Sequence, residues 1–99
     1  MVKFLKKNFL FLAPMAGFSN SACRLICREY GADGVVGEFV YSRAVLSGAQ
    51  RVLEKMAFSE AERPVGIQIF GSDAGEIAEA ASLVEERFAP DFIDINFGC

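Results

Sequence analysis

Four short apolar runs alternate with three stretches of helical character along this 99-residue chain. The runs are FLFLA at 9–13, GVVGEFV at 34–40, RPVGIQIF at 63–70 and DFIDINF at 91–97. Runs that are apolar throughout are typical of strands buried on both faces, which occur in parallel sheets. The order β-α-β-α-β-α-β therefore predicts an α/β fold, in which right-handed crossovers place the helices outside a parallel sheet.

The ends of the first helix are marked by capping residues. Ser19 or Asn20 can accept the free backbone N–H groups at its start, and Gly31 stands where a helix-terminating glycine belongs. Within it, Arg24 and Arg28 are expected to be solvated. This stretch therefore predicts a surface helix between the first two strands.

The other two helical stretches differ in strength. Residues 42–55 show a weak helical pattern, whereas the stretch GSDAGEIAEAASLVEERF at 71–88 shows a strong one, with Ser72 or Asp73 as its cap. The apolar face of the strong helix is Ile77, Ala80, Ala81, Val84 and Phe88. That spacing indicates a helix packed on a sheet.

Composition excludes several classes of protein. Hydrophobic residues make up 53% of the chain, with ten Phe, so a packed core is expected. The longest apolar run, 9–13, is far too short to span a membrane, and Pro14 argues against the run being part of a signal peptide. The net charge is −3 and there is no histidine, so neither a basic field for nucleic acid nor a metal site is predicted. Three cysteines without a secretory signal suggest reduced thiols in the cytoplasm.

Site-like residues follow each predicted strand at the same end. They are Pro14–Gly17, Glu38, Gln68, Gly71, Asn96, Gly98 and Cys99. Ligands in parallel α/β folds bind at the carboxyl ends of the strands. The sequence therefore predicts a ligand site at that edge of the sheet.

The residue types leave alternatives open. Cys99 is either a small packing residue or a reactive thiol, whereas Cys23 and Cys27, four residues apart, favour core packing. The Gln68 amide offers donors and an acceptor, which suit the polar edge of a heteroaromatic ring. Glu38 is either a carboxylate that holds backbone amides or a functional group.

Three stretches of the chain together resemble the tRNA-dihydrouridine synthase family. They are FLAPMAGFSNSACRLICREYGADGVVGEFV, RPVGIQIFGSD and DFIDINFGC, at 11–40, 63–73 and 91–99, and the resemblance runs over essentially all of residues 8–99. The resemblance implies a TIM (β/α)₈ barrel. Residues 1–99 would form its N-terminal half, with about four strands and three helices, and the C-terminal half-barrel and a helical tRNA-binding domain would be absent. Another FMN-binding barrel, such as a dihydroorotate-dehydrogenase-like enzyme, or a non-catalytic half-barrel assembly unit are the alternatives.

The resemblance also implies chemistry and site residues. The family reduces uridine in tRNA to 5,6-dihydrouridine, with FMN as cofactor and NADPH as reductant. The residues implied to contact FMN are Pro14, Met15, Ala16 and Gln68. Asn96 would hold the target uracil and Cys99 would donate a proton. The isolated chain is expected to be inactive and to self-associate through its open sheet edges.

Overall fold

The computed structural model describes residues 8–98 of the chain. The strands in this part are β1 (Phe11–Leu12), β2 (Gly34–Val36), β3 (Val40–Tyr41), β4 (Val65–Phe70) and β5 (Phe92–Ile95). The α-helices are α1 (Ser21–Glu29), α2 (Ser42–Ser47), α3 (Gln50–Met56) and α4 (Ala74–Phe88), and a 3₁₀ helix spans Glu60–Glu62. Over the same residues, no helix is both long and apolar enough to cross a membrane.

The strand pairings in the described sheet are parallel. β1 pairs with β2. β2 pairs with the first residues of β4, and β3 pairs with the last residues of β4. β5 pairs with Gly66–Ile69 of β4 and therefore occupies its other edge. β2 and β3 thus lie end to end as one interrupted strand, so the strands follow one another across the sheet in chain order. The predicted fold class, an α/β chain with the parallel sheet of a partial TIM barrel, is confirmed.

The structure divides two of the predicted elements. The run at 34–40 breaks at Gly37–Phe39, so residues 8–98 contain five strands rather than four. A Cβ on Gly37 would lie 3.4 Å from Nη1 of Arg24, so the chain passes close over that side chain. The stretch at 42–55 forms two helices, because Gly48 adopts φ 73° and ends α2.

The predicted helix ends are otherwise confirmed. Oδ1 of Asn20 accepts the N–H of the residue three positions later at 2.9 Å, and Asp73 caps α4 in the same way at 2.8 Å. Gly31 has φ 103° just beyond α1, a conformation that glycine adopts without steric cost. Local capping chemistry therefore sets these boundaries.

The helix-facing side of the sheet carries the main apolar core. Its buried residues are Val40, Val45, Met56, Ile67, Ile69, Ala80 and Val84. The remaining members of the predicted apolar face of α4, Ile77, Ala81 and Phe88, pack against this cluster. The helical periodicity therefore located the packed face of α4 correctly.

The opposite side of the sheet places aromatic rings over glycines. A Cβ on Gly34 would lie 2.8 Å from the ring of Phe11, and a Cβ on Gly66 would overlap the ring of Phe92. The two rings contact each other, with centroids 5.7 Å apart. Because side chains alternate along a strand, Gln68 and Asp94 lie on this same side, one step nearer the carboxyl ends.

Cys27 is half-buried and packs against Ala32, Val35 and Val65. Burial raises the pKa of its thiol above the ordinary value, and the neighbouring Cys23 adds to the effect. The prediction of core packing is thus confirmed for Cys27, and its thiol stays protonated at neutral pH.

The expectation that Arg24 is solvated is wrong. Arg24 is only 4% exposed. Its Nε donates to Oε1 of Glu62, and Glu62 is itself fully buried. Nη1 donates to the carbonyl of Ser19 at 2.7 Å and Nη2 to the carbonyl of Ala57 at 3.1 Å. Arg28 is half-buried and donates to the carbonyl of Ala32. The guanidinium of Arg24 thus connects three separate segments of the chain.

The carboxylate of Glu62 is satisfied by several donors besides Arg24. Oε2 accepts from Ser21 Oγ at 2.7 Å and from the backbone N–H of Ser59 at 2.8 Å. Burial by itself raises the pKa of this carboxyl, but the hydrogen bonds from Arg24, Ser59 and Ser21 outweigh it. The pKa therefore lies below the ordinary value.

Replacing Glu62 by alanine is expected to lower the free energy of unfolding by about 3–5 kcal/mol, because it strands a buried guanidinium without its counter-charge. Urea unfolding measures the change. The control is Glu60→Ala, since the Glu60 side chain is 82% exposed and pairs only on the surface, where a pair contributes about 0–1 kcal/mol. Equal losses in the two variants would contradict the assignment.

Acid should remove the same stabilisation. Because the folded-state pKa of Glu62 lies below its ordinary 4.5, its contribution is present above that pH and is lost as the pH falls through the folded value. The melting temperature should therefore drop below pH 4.5, and less steeply in Glu62→Gln, which cannot titrate. Among residues 8–98, Glu38 also has a lowered pKa, but it is present in both proteins and its effect cancels. Parallel pH curves for the two proteins would rule the effect out.

Candidate active site at the carboxyl ends of the strands

The loop after β1 is folded around the side chain of Ser19. This residue is fully buried, and its Oγ accepts the N–H of Met15 at 2.9 Å while donating to the carbonyl of Met15 at 3.0 Å. The backbone N–H groups of Phe18 and Ser19 also donate to that carbonyl, each at 2.9 Å. The loop is therefore a tight turn, with Met15 presented on its surface at 44% exposure.

A second anchor holds the tip of this loop. Oε2 of Glu38 accepts the N–H of Gly17 at 2.6 Å, and Oε1 lies 3.2 Å from Nζ of Lys55. The hydrogen bond from Gly17 is the main cause that lowers the pKa of Glu38, and Lys55 adds to it. Gly17 itself has φ 80°, which favours glycine. Of the two interpretations of Glu38, the structure supports the carboxylate that holds a backbone amide.

Gln68 and Asn96 come together on the side of the sheet opposite the helices. Nδ2 of Asn96 donates to Oε1 of Gln68 at 3.3 Å. Nε2 of Gln68 donates to Oδ2 of Asp94 at 2.5 Å, and Oδ1 of Asn96 accepts the N–H of Gly98 at 2.7 Å. Gln68 is only 7% exposed. Two predicted site residues are thus joined in one chain of hydrogen bonds.

The other predicted site residues stand apart from this pair. Pro14–Ala16 follow β1, which is separated from β4 by β2, so the loop lies roughly 10 Å across the sheet from Gln68. Cys99 lies outside the described residues. A cleft of about 320 Å³ beside Gly17 and Lys55 is lined by polar and charged groups, and it includes none of the predicted flavin contacts.

The predictions missed Asp94. It stands opposite Gln68 in the register of β4 and β5, so it belongs to the site as a hydrogen-bond partner. The alternation in FIDIN places Phe92, Asp94 and Asn96 on one side of the strand, and this pattern was visible in the sequence.

These residues fit a flavin ring in their hydrogen-bonding capacity. An amide side chain offers two N–H donors and two acceptor lone pairs. Gln68 uses one of each within the protein, which leaves one donor and one lone pair for the polar edge of a ring. Met15 offers exposed apolar surface on the loop after β1. The donor set and the apolar surface together suit a flat heteroaromatic group.

The dihydrouridine synthase family (Dus) has a model that matches residues 11–99. This chain belongs to the dihydrouridine synthase family. It is 46% identical over 95 residues to a probable tRNA-dihydrouridine synthase of Aquifex aeolicus, which covers 95% of this chain and 29% of that protein. It is 40% identical to tRNA-dihydrouridine synthase B of Pseudomonas syringae, over 93% of this chain and 27% of that protein.

Two consequences follow from the match. The family predicted from the three stretches at 11–40, 63–73 and 91–99 is confirmed, because the matched range contains all three. The chain also spans less than a third of the length of these dihydrouridine synthases.

Replacing Glu38 by alanine should loosen the loop after β1. The hydrogen bond from Gly17 to a carboxylate is of the stronger, charge-assisted kind, so amide exchange at Gly17 should accelerate by about tenfold to a hundredfold. Hydrogen–deuterium exchange of a peptide covering residues 13–20 measures the effect. Glu60→Ala, which removes an exposed carboxylate remote from the loop, should leave that peptide unchanged. Unaltered protection in Glu38→Ala would show that the contact does not hold the loop.

Proposed function

We propose that this protein is a flavin-dependent tRNA-dihydrouridine synthase that reduces uridine in tRNA to 5,6-dihydrouridine, with FMN as cofactor and NADPH as reductant. Membership of the dihydrouridine synthase family supports the reaction. The relatives named tRNA-dihydrouridine synthase support tRNA as the substrate.

The observation that carries the proposal is the hydrogen bond between Asn96 and Gln68. In the proposed site, Gln68 holds the polar edge of the flavin and Asn96 holds the uracil. The base must lie against the ring for a hydride to pass, and the contact between the two amides would place the groups that they hold side by side. Catalysis depends on this mutual placement, which two rigid neighbouring strands supply.

The residues of this chain would bind and orient the two flat groups. Gln68 has one N–H and one lone pair left for the flavin edge, and the loop Pro14–Ala16 would cover part of its face. Asn96 likewise keeps one N–H and one lone pair after bonding Gln68 and Gly98. The remaining N–H and lone pair of Asn96 complement an acceptor and a donor on the edge of uracil. FMN, when bound and reduced, would supply the hydride that C6 of the uracil receives.

Cys99 would complete the reduction by donating a proton to C5 of the base. Negative charge develops at C5 and O4 as C6 gains the hydride, so a positioned acid is needed. A thiol with an ordinary pKa near 8.5 is mostly protonated at neutral pH and can serve as that acid. Addition of one hydride and one proton across the C5–C6 bond balances the conversion of uridine to dihydrouridine.

We also propose where the protein acts and how residues 1–99 behave on their own. A tRNA-modifying enzyme would act in the cytoplasm, where its substrate lies. Residues 1–99 alone are proposed to be inactive, because a whole (β/α)₈ barrel takes about 250 residues and its phosphate site commonly follows strands seven and eight. The isolated chain is also proposed to self-associate through the outer edges of β1 and β5.

The test is the full-length protein with Cys99 replaced by alanine. The wild-type protein should carry FMN, visible in its absorption spectrum, and should form dihydrouridine in unmodified tRNA with NADPH. Cys99→Ala should keep the flavin and lose activity by about 10²–10⁴-fold, the usual contribution of a general acid. Cys23→Ala, on α1, is the matched control and should remain active. A wild-type protein without flavin would refute the proposed function, and a fully active Cys99→Ala would refute the role of the thiol.

A further inference from the structure

Asp94 is the only charged group in the chain of hydrogen bonds described above. It faces Gln68 in the register of β4 and β5, and its Oδ2 accepts from Nε2 at 2.5 Å. Among residues 8–98, no hydrogen bond joins Asp94 to Asn96. Within this chain of hydrogen bonds, Asp94 acts on the nearly buried amide of Gln68.

The carboxylate dictates which way the Gln68 amide points. A carboxylate has acceptors only, so it must face the NH₂ end of the amide. The reverse orientation would set two acceptor oxygens against each other at 2.5 Å. With Nε2 committed to Asp94, Oε1 of Gln68 points toward Asn96.

The orientation then passes to the next two groups. Because Oε1 of Gln68 is an acceptor, Asn96 must present its NH₂ to it. Oδ1 of Asn96 is thereby left to accept the N–H of Gly98 at 2.7 Å. The carboxylate of Asp94 at one end and the N–H of Gly98 at the other thus favour the same order of the two side-chain amides.

We infer that Asp94 is a positioning residue that fixes the donor and acceptor pattern which Gln68 and Asn96 present to their ligands. The inference rests on the proposed function for the identity of those ligands, a flavin and a uracil. Each amide has one free N–H and one free lone pair, and the direction set by Asp94 decides where each lies. A pair of amides free to rotate would present both patterns and would bind each ring less tightly.

The experiment replaces Asp94 by asparagine in the full-length protein. The substitution keeps the size of the side chain but adds donors, so position 94 no longer requires the NH₂ of Gln68 to face it. The dissociation constant of FMN, followed by flavin fluorescence, should rise by about tenfold to a hundredfold, the effect of losing one hydrogen bond to a charged group. The KM for tRNA should rise as well. The matched control is Asp73→Asn at the cap of α4, where asparagine caps equally well and both values should stay unchanged.

A donor–acceptor exchange separates orientation from simple loss of stability. In the double variant Gln68→Glu with Asp94→Asn, the amide at position 94 donates to the carboxylate at position 68, which still accepts from Asn96. This variant should recover the melting temperature and the KM for tRNA relative to Asp94→Asn, while FMN binding stays weak because position 68 has lost its free N–H. Asp94→Asn that binds FMN with the wild-type constant, or a double variant no better than the single one in melting temperature, would overturn the inference.

The outcomes also separate this inference from the proposed function. If the wild-type protein binds no flavin, the proposed function fails, and the recovery of melting temperature by the double variant still decides whether Asp94 orders Gln68. If Asp94→Asn does not fold, folding of the double variant supports the pairing, and failure of both variants overturns it.

Discussion

The ion pair between Arg24 and Glu62 joins segments that the sheet alone does not hold. A buried charged pair costs several kcal/mol of desolvation per ion, which only good geometry and further hydrogen bonds offset. Here each nitrogen of the guanidinium and each oxygen of the carboxylate has a partner. The guanidinium also donates to the carbonyls of Ser19 and Ala57, and the carboxylate accepts from Ser21 at the start of α1 and from the backbone of Ser59. The pair therefore acts as a cross-link between α1 and the segment that leads into β4.

The same cross-link reaches the candidate site through Ser19. Arg24 holds the carbonyl of Ser19, and the hydroxyl of Ser19 holds both the N–H and the carbonyl of Met15. Glu38 fixes the other end of that loop through Gly17. A loop tied at two points to buried or ion-paired groups keeps one conformation, and such pre-organisation lowers the entropy lost when a ligand binds.

Local patterns predicted the parts of the fold whose causes are local. The packed face of α4 and the caps Asn20 and Asp73 depend on residues within a few positions of each other, and the sequence located them. The burial of Arg24 depends on a partner 38 positions away, which no local pattern reveals. The break at Gly37–Phe39 has the same origin, since the backbone there lies against Arg24 and Glu38 turns toward Gly17.

For the candidate site, strand-end position alone named Gln68 and Asn96, but their contact required the register of β4 against β5. The register of β4 against β5 also explains how buried polar side chains are accommodated in the sheet. The helix-facing side holds the aliphatic core, including Ile67 and Ile69 of β4, so the packing of that core does not use the residues that alternate with them. The opposite side is free to carry Gln68 and Asp94, provided that each buried polar group finds a partner. The hydrogen bond between Gln68 and Asp94 meets that condition. The same hydrogen bond sets the direction in which the Gln68 amide faces a ligand.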